Sequence, residues 1–334
     1  MKVAVIGAGS WGTALSQVLA SNGHDIALWA RKQEVVDSIN GKHVNPRYLT
    51  HSRLSERIAA TTSFAEALEG AEAVVVVTPS ATLRETARNL ASYVAAETPL
   101  VICSKGVEEG TGLLPTQIFE EVMGNGDRLA VLSGPTHAEE VIEAMPSGTV
   151  IASTDELTAD LFRDLFATDA FRTYTSEDVI GVELCAAFKN VIAIAVGISY
   201  GMGFGDNTAA VLITRGLAET SRMVVACGGE AITCMGLAGA GDMVVTCMSQ
   251  HSRNRRFGEQ YVARGKTLAD FEAETHMVVE GAIACKTLAV LEERYGVELP
   301  ITNAVRELVW GDVSLEQAKQ LIFTRPLTTE FYGL

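Results

Sequence analysis

Two groups of residues have the types and spacing to do chemistry. The first is Gly7-Ala8-Gly9-Ser10-Trp11-Gly12, a G-x-G-x-x-G that follows the β-branched run 2–6 and opens a helical pattern. In that setting Gly7 permits a tight turn and Gly9 lets the backbone approach a pyrophosphate. Gly12 lets helix and strand pack closely, with the anion held at the helix N-terminus. The expected cargo is a dinucleotide. The second is Lys189, embedded in CAAFKNVIAIAVG at 185–197. A lysine is seldom fully buried unless paired. Desolvation disfavours the ammonium over the amine, which suits a group that gives and takes a proton near neutral pH. A lysine snorkelling to its domain surface is the competing reading.

Two more segments supply partners for such a lysine. Gly239-Ala240-Gly241 opens a helical pattern, which puts Asp242 in the first turn and Thr246 one turn later on the same face. A carboxylate there could orient an ammonium. His251-Ser252-Arg253-Asn254-Arg255-Arg256 is a local basic knot in an acidic chain, a donor set for a small anionic substrate. Near the end of the second strand run, Ala30-Arg31-Lys32 stands where a dinucleotide site usually offers an acid to the ribose. Arg31 can pair with a 2′-phosphate, so NADPH is accepted and preferred in this reading.

The elements that must position these groups read as two regions. Apolar runs at 2–6, 25–30, 73–77, 99–103, 129–133 and 148–152 alternate with helical patterns at 10–21, 63–69, 80–94, 114–123, 137–144 and 155–167. Strands this apolar are buried on both faces, and the alternation predicts a Rossmann-like, doubly wound parallel sheet. From about 177 the texture becomes glycine-punctuated helix, at 177–199, 207–227, 241–248, 253–264, 279–295, 301–309 and 314–322. The fold class is therefore α/β plus all-α: a dinucleotide domain over 1–178 and a helical substrate and catalytic domain over 179–334. The cleft between them is the default ligand site.

Length and composition agree with two cores. The chain has 334 residues, 48% of them hydrophobic and 20% charged, which argues against disorder. Its 26 basic and 41 acidic residues give a net charge of −15. Such a surface repels phosphate, so no nucleic-acid partner is expected. The cysteines Cys103, Cys185, Cys227, Cys234, Cys247 and Cys285 form no C-x-x-C and no zinc spacing. No metal is predicted, and a reducing, cytoplasmic compartment is. The stretch 182–200 approaches membrane-spanning length but carries Glu183, Lys189 and Asn190. It reads as a buried helix rather than a membrane insertion.

Several segments together resemble the NAD(P)-dependent glycerol-3-phosphate dehydrogenase family, bacterial type, over nearly the whole length. They are GAGSWGTALS at 7–16, NPRYL at 45–49, Ser104-Lys105-Gly106 and Ser133-Gly134-Pro135-Thr136. FKNVIAIAVGI at 188–198, GDNTAAVLITRGLAE at 205–219, GLAGAGDMVVTC at 236–247, SRNRRFG at 252–258 and VVEG at 278–281 continue the likeness. The resemblance implies Lys189 as acid/base, Asp242 as its charged neighbour, and Lys105 touching substrate and cofactor. It implies Gly134, Thr136, Asn190, Thr246, Ser252, Arg253 and Asn254 around the substrate. Ser10, Trp11, Arg31, Tyr48, Lys105, Ala138, Arg253, Val278 and Glu280 fall where the family contacts the dinucleotide, NADP(H) or NAD(H).

The sequence departs from the family at Cys185-Ala186, where a glycine pair is usual, and at Tyr200, Ala209 and Thr50-His51. The implied reaction is reversible reduction of dihydroxyacetone phosphate, a small phosphorylated three-carbon substrate, to sn-glycerol 3-phosphate for phospholipid synthesis. Glycine-rich helical domains of this kind often pair, which leaves a homodimer open. Two alternatives stand beside this reading. A 6-phosphogluconate or 3-hydroxyacid dehydrogenase would separate its Lys and Asn by a helical turn, whereas Lys189 and Asn190 are adjacent. A nucleotide-sensing regulator would keep the glycine turn without needing Lys189, Asp242 and Arg253.

Overall fold

The computed structural model describes residues 1–275, 277–311, 313–323 and 329–330. The chain divides into two compact units, Met1–Lys105 with Pro115–Val179, and Gly106–Leu114 with Ile180–Leu334. The sequence boundary at 178/179 did not anticipate that the loop Gly106–Leu114 leaves the first unit. Within the second unit, Gly112 nestles against Val290 and Leu291, and Arg294 donates to the Thr111 carbonyl at 2.6 Å.

The first unit carries β1 (Lys2–Ile6), α1 (Ser10–Ser21), β2 (Asp25–Trp29), α2 (Gln33–Lys42), β3 (Ile58–Thr61) and α3 (Phe64–Leu68). It continues through β4 (Ala73–Val76), α4 (Leu83–Ala91), β5 (Leu100–Ile102), α5 (Pro115–Met123), β6 (Leu129–Ser133), α6 (Ala138–Val141), β7 (Ser147–Ala152), α7 (Glu156–Phe166) and β8 (Phe171–Ser176). These strands form one eight-stranded sheet in the order β3-β2-β1-β4-β5-β6-β7-β8. Its central strands β1, β4 and β5 are almost wholly buried, because helices cover both faces.

Three features differ from the sequence expectation. The β6·β7 pair is antiparallel, whereas its neighbours are parallel. The connection 134–146 contains only the four-residue α6, too little helix to cross the sheet and return a parallel strand. β3 and β8 were not read from the sequence. β3 is short and alanine-rich, and β8 is an edge strand whose Arg172, Tyr174 and Thr175 face solvent, so neither shows a continuous apolar run. α2 hides in a polar stretch and buries only Val35, Val36 and Ile39.

The second unit is helical: α8 (Val179–Gly201), α9 (Asp206–Ala226), α10 (Asp242–Met248), α11 (Arg253–Gln260), α12 (Leu268–Thr275), α13 (Glu280–Tyr295), α14 (Pro300–Trp310) and α15 (Leu315–Phe323). A 3₁₀ turn at Ala231–Met235 and a π turn at Leu237–Gly241 join α9 to α10. α12 is a further element the sequence reading left out.

α8 is apolar on every side because other helices surround it. Among the described residues it alone has the length and apolar character to cross a membrane, and 89% of its apolar window is buried inside the protein. Its neighbours close in through glycine. A β-carbon on Gly216 of α9 would lie 2.8 Å from the Ile192 side chain. One on Gly258 of α11 would lie 2.2 Å from the Ile194 carbonyl, and one on Gly281 of α13 would lie 2.4 Å from the Asn190 carbonyl. Gly197 makes the reciprocal approach, 2.1 Å from the Arg255 carbonyl. Real β-carbons do not come that near, so α9 closes on the Ile192 side chain, and α11 and α13 on the α8 backbone, only as glycine.

Candidate active site

In the second unit Lys189 is 8% exposed and Asp242 is 1% exposed. Their Nζ and Oδ1 atoms lie 2.5 Å apart. The Thr246 hydroxyl donates to the same Oδ1 at 3.3 Å. The competing picture of a lysine snorkelling to water is thereby removed. An isolated buried ammonium is costly, and this carboxylate compensates its loss of water. Cys247 sits beside the pair, and burial pushes its thiol up to about 12. It stays protonated and adds no charge to the pocket.

Asp242 arrives by a different route from the one expected. It is the first residue of α10, but the backbone before it is already coiled: the Gly241 N–H donates to the Gly236 carbonyl at 3.1 Å, an i to i−5 bond. The glycine run forms a π turn that feeds straight into α10, so Asp242 does not stand at an open helix N-terminus. Single π turns of this kind occur often at functional sites.

At the next residue of α8, an amide network fixes Asn190. Asn254 Nδ2 donates to Asn190 Oδ1 at 2.9 Å, and Asn190 Nδ2 donates to Glu280 Oε2 at 3.3 Å. Asn254 Oδ1 accepts the Gly281 N–H at 2.9 Å. Asn190, Asn254 and Glu280 are thus brought together from α8, α11 and α13. The basic knot resolves into separate roles. Ser252 is the N-cap of α11 and accepts the Arg255 N–H at 3.2 Å, leaving its own O–H to donate. Arg255 is tied to Glu259, to the Met248 carbonyl and to the Tyr200 ring, 4.8 Å away. Arg256 lies over Phe271 at 5.7 Å. Arg253 is exposed and makes no ion pair among the described residues, and of the three arginines it is the one that is exposed rather than half-buried. Val278 is half exposed in the loop before α13.

In the first unit the glycine turn has the geometry its spacing predicts. Gly7 has φ +126°, and a β-carbon there would lie 2.6 Å from the Val77 carbonyl. A β-carbon on Gly12 would lie 1.8 Å from the Gly7 carbonyl. Gly9 is different, because a β-carbon there would meet nothing within 4 Å. Its side is open, as backbone facing a ligand must be. The first turn of α1, with Ser10 and Trp11, contains no acid and no side-chain cap. That leaves its N–H groups and dipole to an anion.

One residue behind this turn escaped the sequence reading. Asn45 is fully buried, and its Nδ2 donates to the Ala8 carbonyl at 3.0 Å and to Thr13 Oγ1 at 2.9 Å. Its Oδ1 accepts the N–H groups of Arg47 and Tyr48 at 3.1 and 3.2 Å. Asn45 therefore pins the loop carrying the exposed Tyr48 to the glycine turn. The available signal was an asparagine opening N-P-R-Y-L in an otherwise polar stretch.

The other first-unit residues occupy strand ends. Arg31 is exposed just past β2 and makes no ion pair among the described residues. Lys105 follows β5 after Ser104, whose hydroxyl donates to the Thr78 carbonyl at 2.5 Å. Gly134 backs onto Gly148 and Thr149, and Thr136 Oγ1 donates to the Gly134 carbonyl at 3.1 Å. Ala138 starts α6.

A sheet built around an open glycine turn, joined to a helical unit holding a buried lysine–aspartate pair, defines a nicotinamide-dependent dehydrogenase. The comparisons make this specific. Residues 2–159 match the family model described as NAD-dependent glycerol-3-phosphate dehydrogenase N-terminus, and residues 178–320 match the corresponding C-terminus model. The glycerol-3-phosphate dehydrogenase [NAD(P)+] of Thermobifida fusca is 46% identical, across 100% of this chain and 99% of that protein. That of Enterococcus faecalis is 43% identical, across 98% and 97%. The crystal structure of glycerol-3-phosphate dehydrogenase from Coxiella burnetii superposes with a TM-score of 0.92 at 35% identity, covering 97% of this chain and 99% of that one. The chain belongs to the NAD-dependent glycerol-3-phosphate dehydrogenase family.

Proposed function

We propose that this chain reversibly reduces dihydroxyacetone phosphate to sn-glycerol 3-phosphate with NAD(P)H, and that Lys189 is its general acid and base. The observation that carries the assignment of Lys189 is its burial against Asp242 at 2.5 Å. An ammonium paired with a carboxylate in this way is fixed in orientation, and it carries three N–H donors.

The turn at Gly7–Gly12 fits a dinucleotide, since Gly9 opens onto free space and α1 starts without acid or cap. Gly7, Gly9, Ser10, Trp11 and Gly12 would hold the pyrophosphate. Arg31, Tyr48, Lys105, Ala138, Arg253, Val278 and Glu280 would make the remaining contacts. When bound, the nicotinamide supplies the hydride in reduction and accepts it in oxidation. Lys189 gives its Nζ proton to the substrate oxygen as that oxygen becomes an alkoxide, and takes it back in the reverse direction. Asp242 holds Nζ in place, and Thr246 holds Asp242. Lys105 adds positive charge near the developing oxyanion. Arg253 and the Ser252 hydroxyl grip the phosphate, with Asn190, Asn254, Gly134 and Thr136 lining the substrate. The first unit is read as the dinucleotide carrier and the second as the catalytic half.

Arg31 is the basis for preferring NADPH, since a guanidinium can pair with a 2′-phosphate. Arg31→Ala should narrow the ratio of NADH to NADPH Kd, and an unchanged ratio removes Arg31 from this role. A cytoplasmic, phospholipid-supplying enzyme without nucleic-acid partners or membrane insertion is supported by the −15 charge and six free thiols. A homodimer is supported by exposed Val211 and Val225 on α9. Light scattering on the purified chain decides that point.

The test of the central assignment is the rate of NADPH oxidation with dihydroxyacetone phosphate for Lys189→Ala beside wild type. Loss of turnover by about 10²–10⁴-fold with NADPH binding intact is expected. Full activity in the variant overturns the assignment.

A further inference from the structure

Cys185 and Cys234 are 1% and 2% exposed, and their sulfurs lie 3.6 Å apart. Cys185 shares α8 with Lys189, and Cys234 lies upstream of the helix that Asp242 begins. Cys185 is one turn before Lys189 on α8. Cys234 lies in the 3₁₀ turn that leads, through the π turn 237–241, to Asp242. The π turn leans directly on it: a β-carbon on Gly239 would lie 2.2 Å from the Cys234 carbonyl oxygen. The two thiols have no part in the proton transfer described above. Cys185 also belongs to the Cys185-Ala186 departure from the family pattern.

We propose that Cys185 and Cys234 form a peroxide-oxidised dithiol whose closure to a disulfide displaces Asp242 from Lys189 and lowers turnover. The Cys234 sulfur attacks one oxygen of hydrogen peroxide; the O–O bond breaks, one water leaves, and Cys234 becomes a sulfenic acid. The Cys185 sulfur then attacks that sulfur; the S–O bond breaks, the S–S bond forms, and a second water leaves. Overall two thiols lose two protons and two electrons, and peroxide is reduced to two waters. Cys234 is the entry point because its turn is five residues long and surface-laid, with Ile232 and Met235 69% and 70% exposed. A local opening there uncovers it, whereas α8 is buried along nearly its whole length.

Closure requires the sulfurs to approach from 3.6 Å to about 2.05 Å. α8 is gripped on several sides, so the 3₁₀ turn moves. Cys234 carries Gly239 with it, and the Gly241–Gly236 hydrogen bond passes the shift to the start of α10. A displacement of about 1 Å at a catalytic group costs on the order of a hundredfold in rate.

The experiment exposes the full-length enzyme to graded hydrogen peroxide, then reads alkylated peptides by mass spectrometry and kcat in parallel. A Cys185–Cys234 linked peptide should accumulate as kcat falls by about tenfold to a hundredfold. Dithiothreitol should reverse both. Cys234→Ser and Cys185→Ala should each keep basal turnover and lose the peroxide response, whereas Cys227→Ser should keep the response. Absence of the linked peptide where the half-buried Cys227 is already oxidised overturns the proposal. So does a linked peptide with unchanged kcat, or inactivation that persists in both single variants. The effect on turnover rests on the Lys189–Asp242 assignment, but the peptide map does not. An active Lys189→Ala with a mapped disulfide therefore refutes the former and leaves the latter standing.

Discussion

Glycine does different work in the two units. At the turn of the first unit it solves a local backbone problem. Gly7 adopts a positive φ beside the Val77 carbonyl, and Gly12 touches the Gly7 carbonyl a few residues back in the chain. In the second unit Gly216, Gly258 and Gly281 sit inside ordinary helices and have no unusual φ. There they let three helices approach α8 closely enough to hold Lys189 and Asn190 in fixed positions. On the proposed function, the first use shapes a place for an anion and the second the alignment of a proton donor. Damage to one should therefore appear in cofactor binding, and damage to the other in turnover.

The largest effect should come from Gly12→Ala, because the added carbon would stand 1.8 Å from a backbone oxygen. NADPH binding, followed by fluorescence titration, should be abolished; a Kd within a few-fold of wild type would break the comparison. Asp242→Asn comes next. It strands a buried ammonium without its counterion, a loss of about 3–5 kcal/mol in stability. Denaturant unfolding and kcat should both report it, with NADPH affinity little changed. Gly258→Ala should cost about 1–3 kcal/mol as α11 is forced away from Ile194. It should lower kcat more than it raises the KM for NADPH, and the reverse pattern would deny that helix spacing aligns the lysine.

Asn45→Ala sharpens the other side of the comparison. Removing an amide that serves four backbone and side-chain groups should cost about 1–3 kcal/mol. Its kinetic signature should be a raised KM for NADPH at nearly constant kcat. The smallest effect concerns pH. Glu219 is buried where it accepts the N–H groups of Ile301 and Thr302, and burial pushes its carboxyl above the ordinary value of 4.5. The folded state thus holds this proton more tightly than the unfolded one. The corresponding stability is present in acid and lost as pH rises from the unfolded value through the raised one. Tm measured across that window should fall more in wild type than in Glu219→Gln; parallel curves would contradict it.

What could be read from sequence was whatever depended on neighbours in the chain. The glycine turn was legible because strand, turn and helix follow one another within 2–21. Lys189 was legible because a charge in a long apolar helix is conspicuous, and Asp242 and Thr246 because four residues make a helical turn. Asn45 was not, since its partners Ala8 and Thr13 lie far back in the sequence. The same holds for Gly258 and Gly281, whose meaning lies in carbonyls of another helix. β3 and β8 lacked the continuous apolar run of a buried strand. The π turn was read as a helix start because glycine commonly marks an end, and only the Gly241–Gly236 bond reveals the continuity.

The most direct measurement of the central claim is chemical rescue of Lys189→Ala by small primary amines. Turnover of dihydroxyacetone phosphate with NADPH should be nearly absent in the variant and rise with added ethylamine, which fills the vacated space and restores a proton to donate. A variant that turns over at the wild-type rate without any amine would contradict the claim that Lys189 moves the proton.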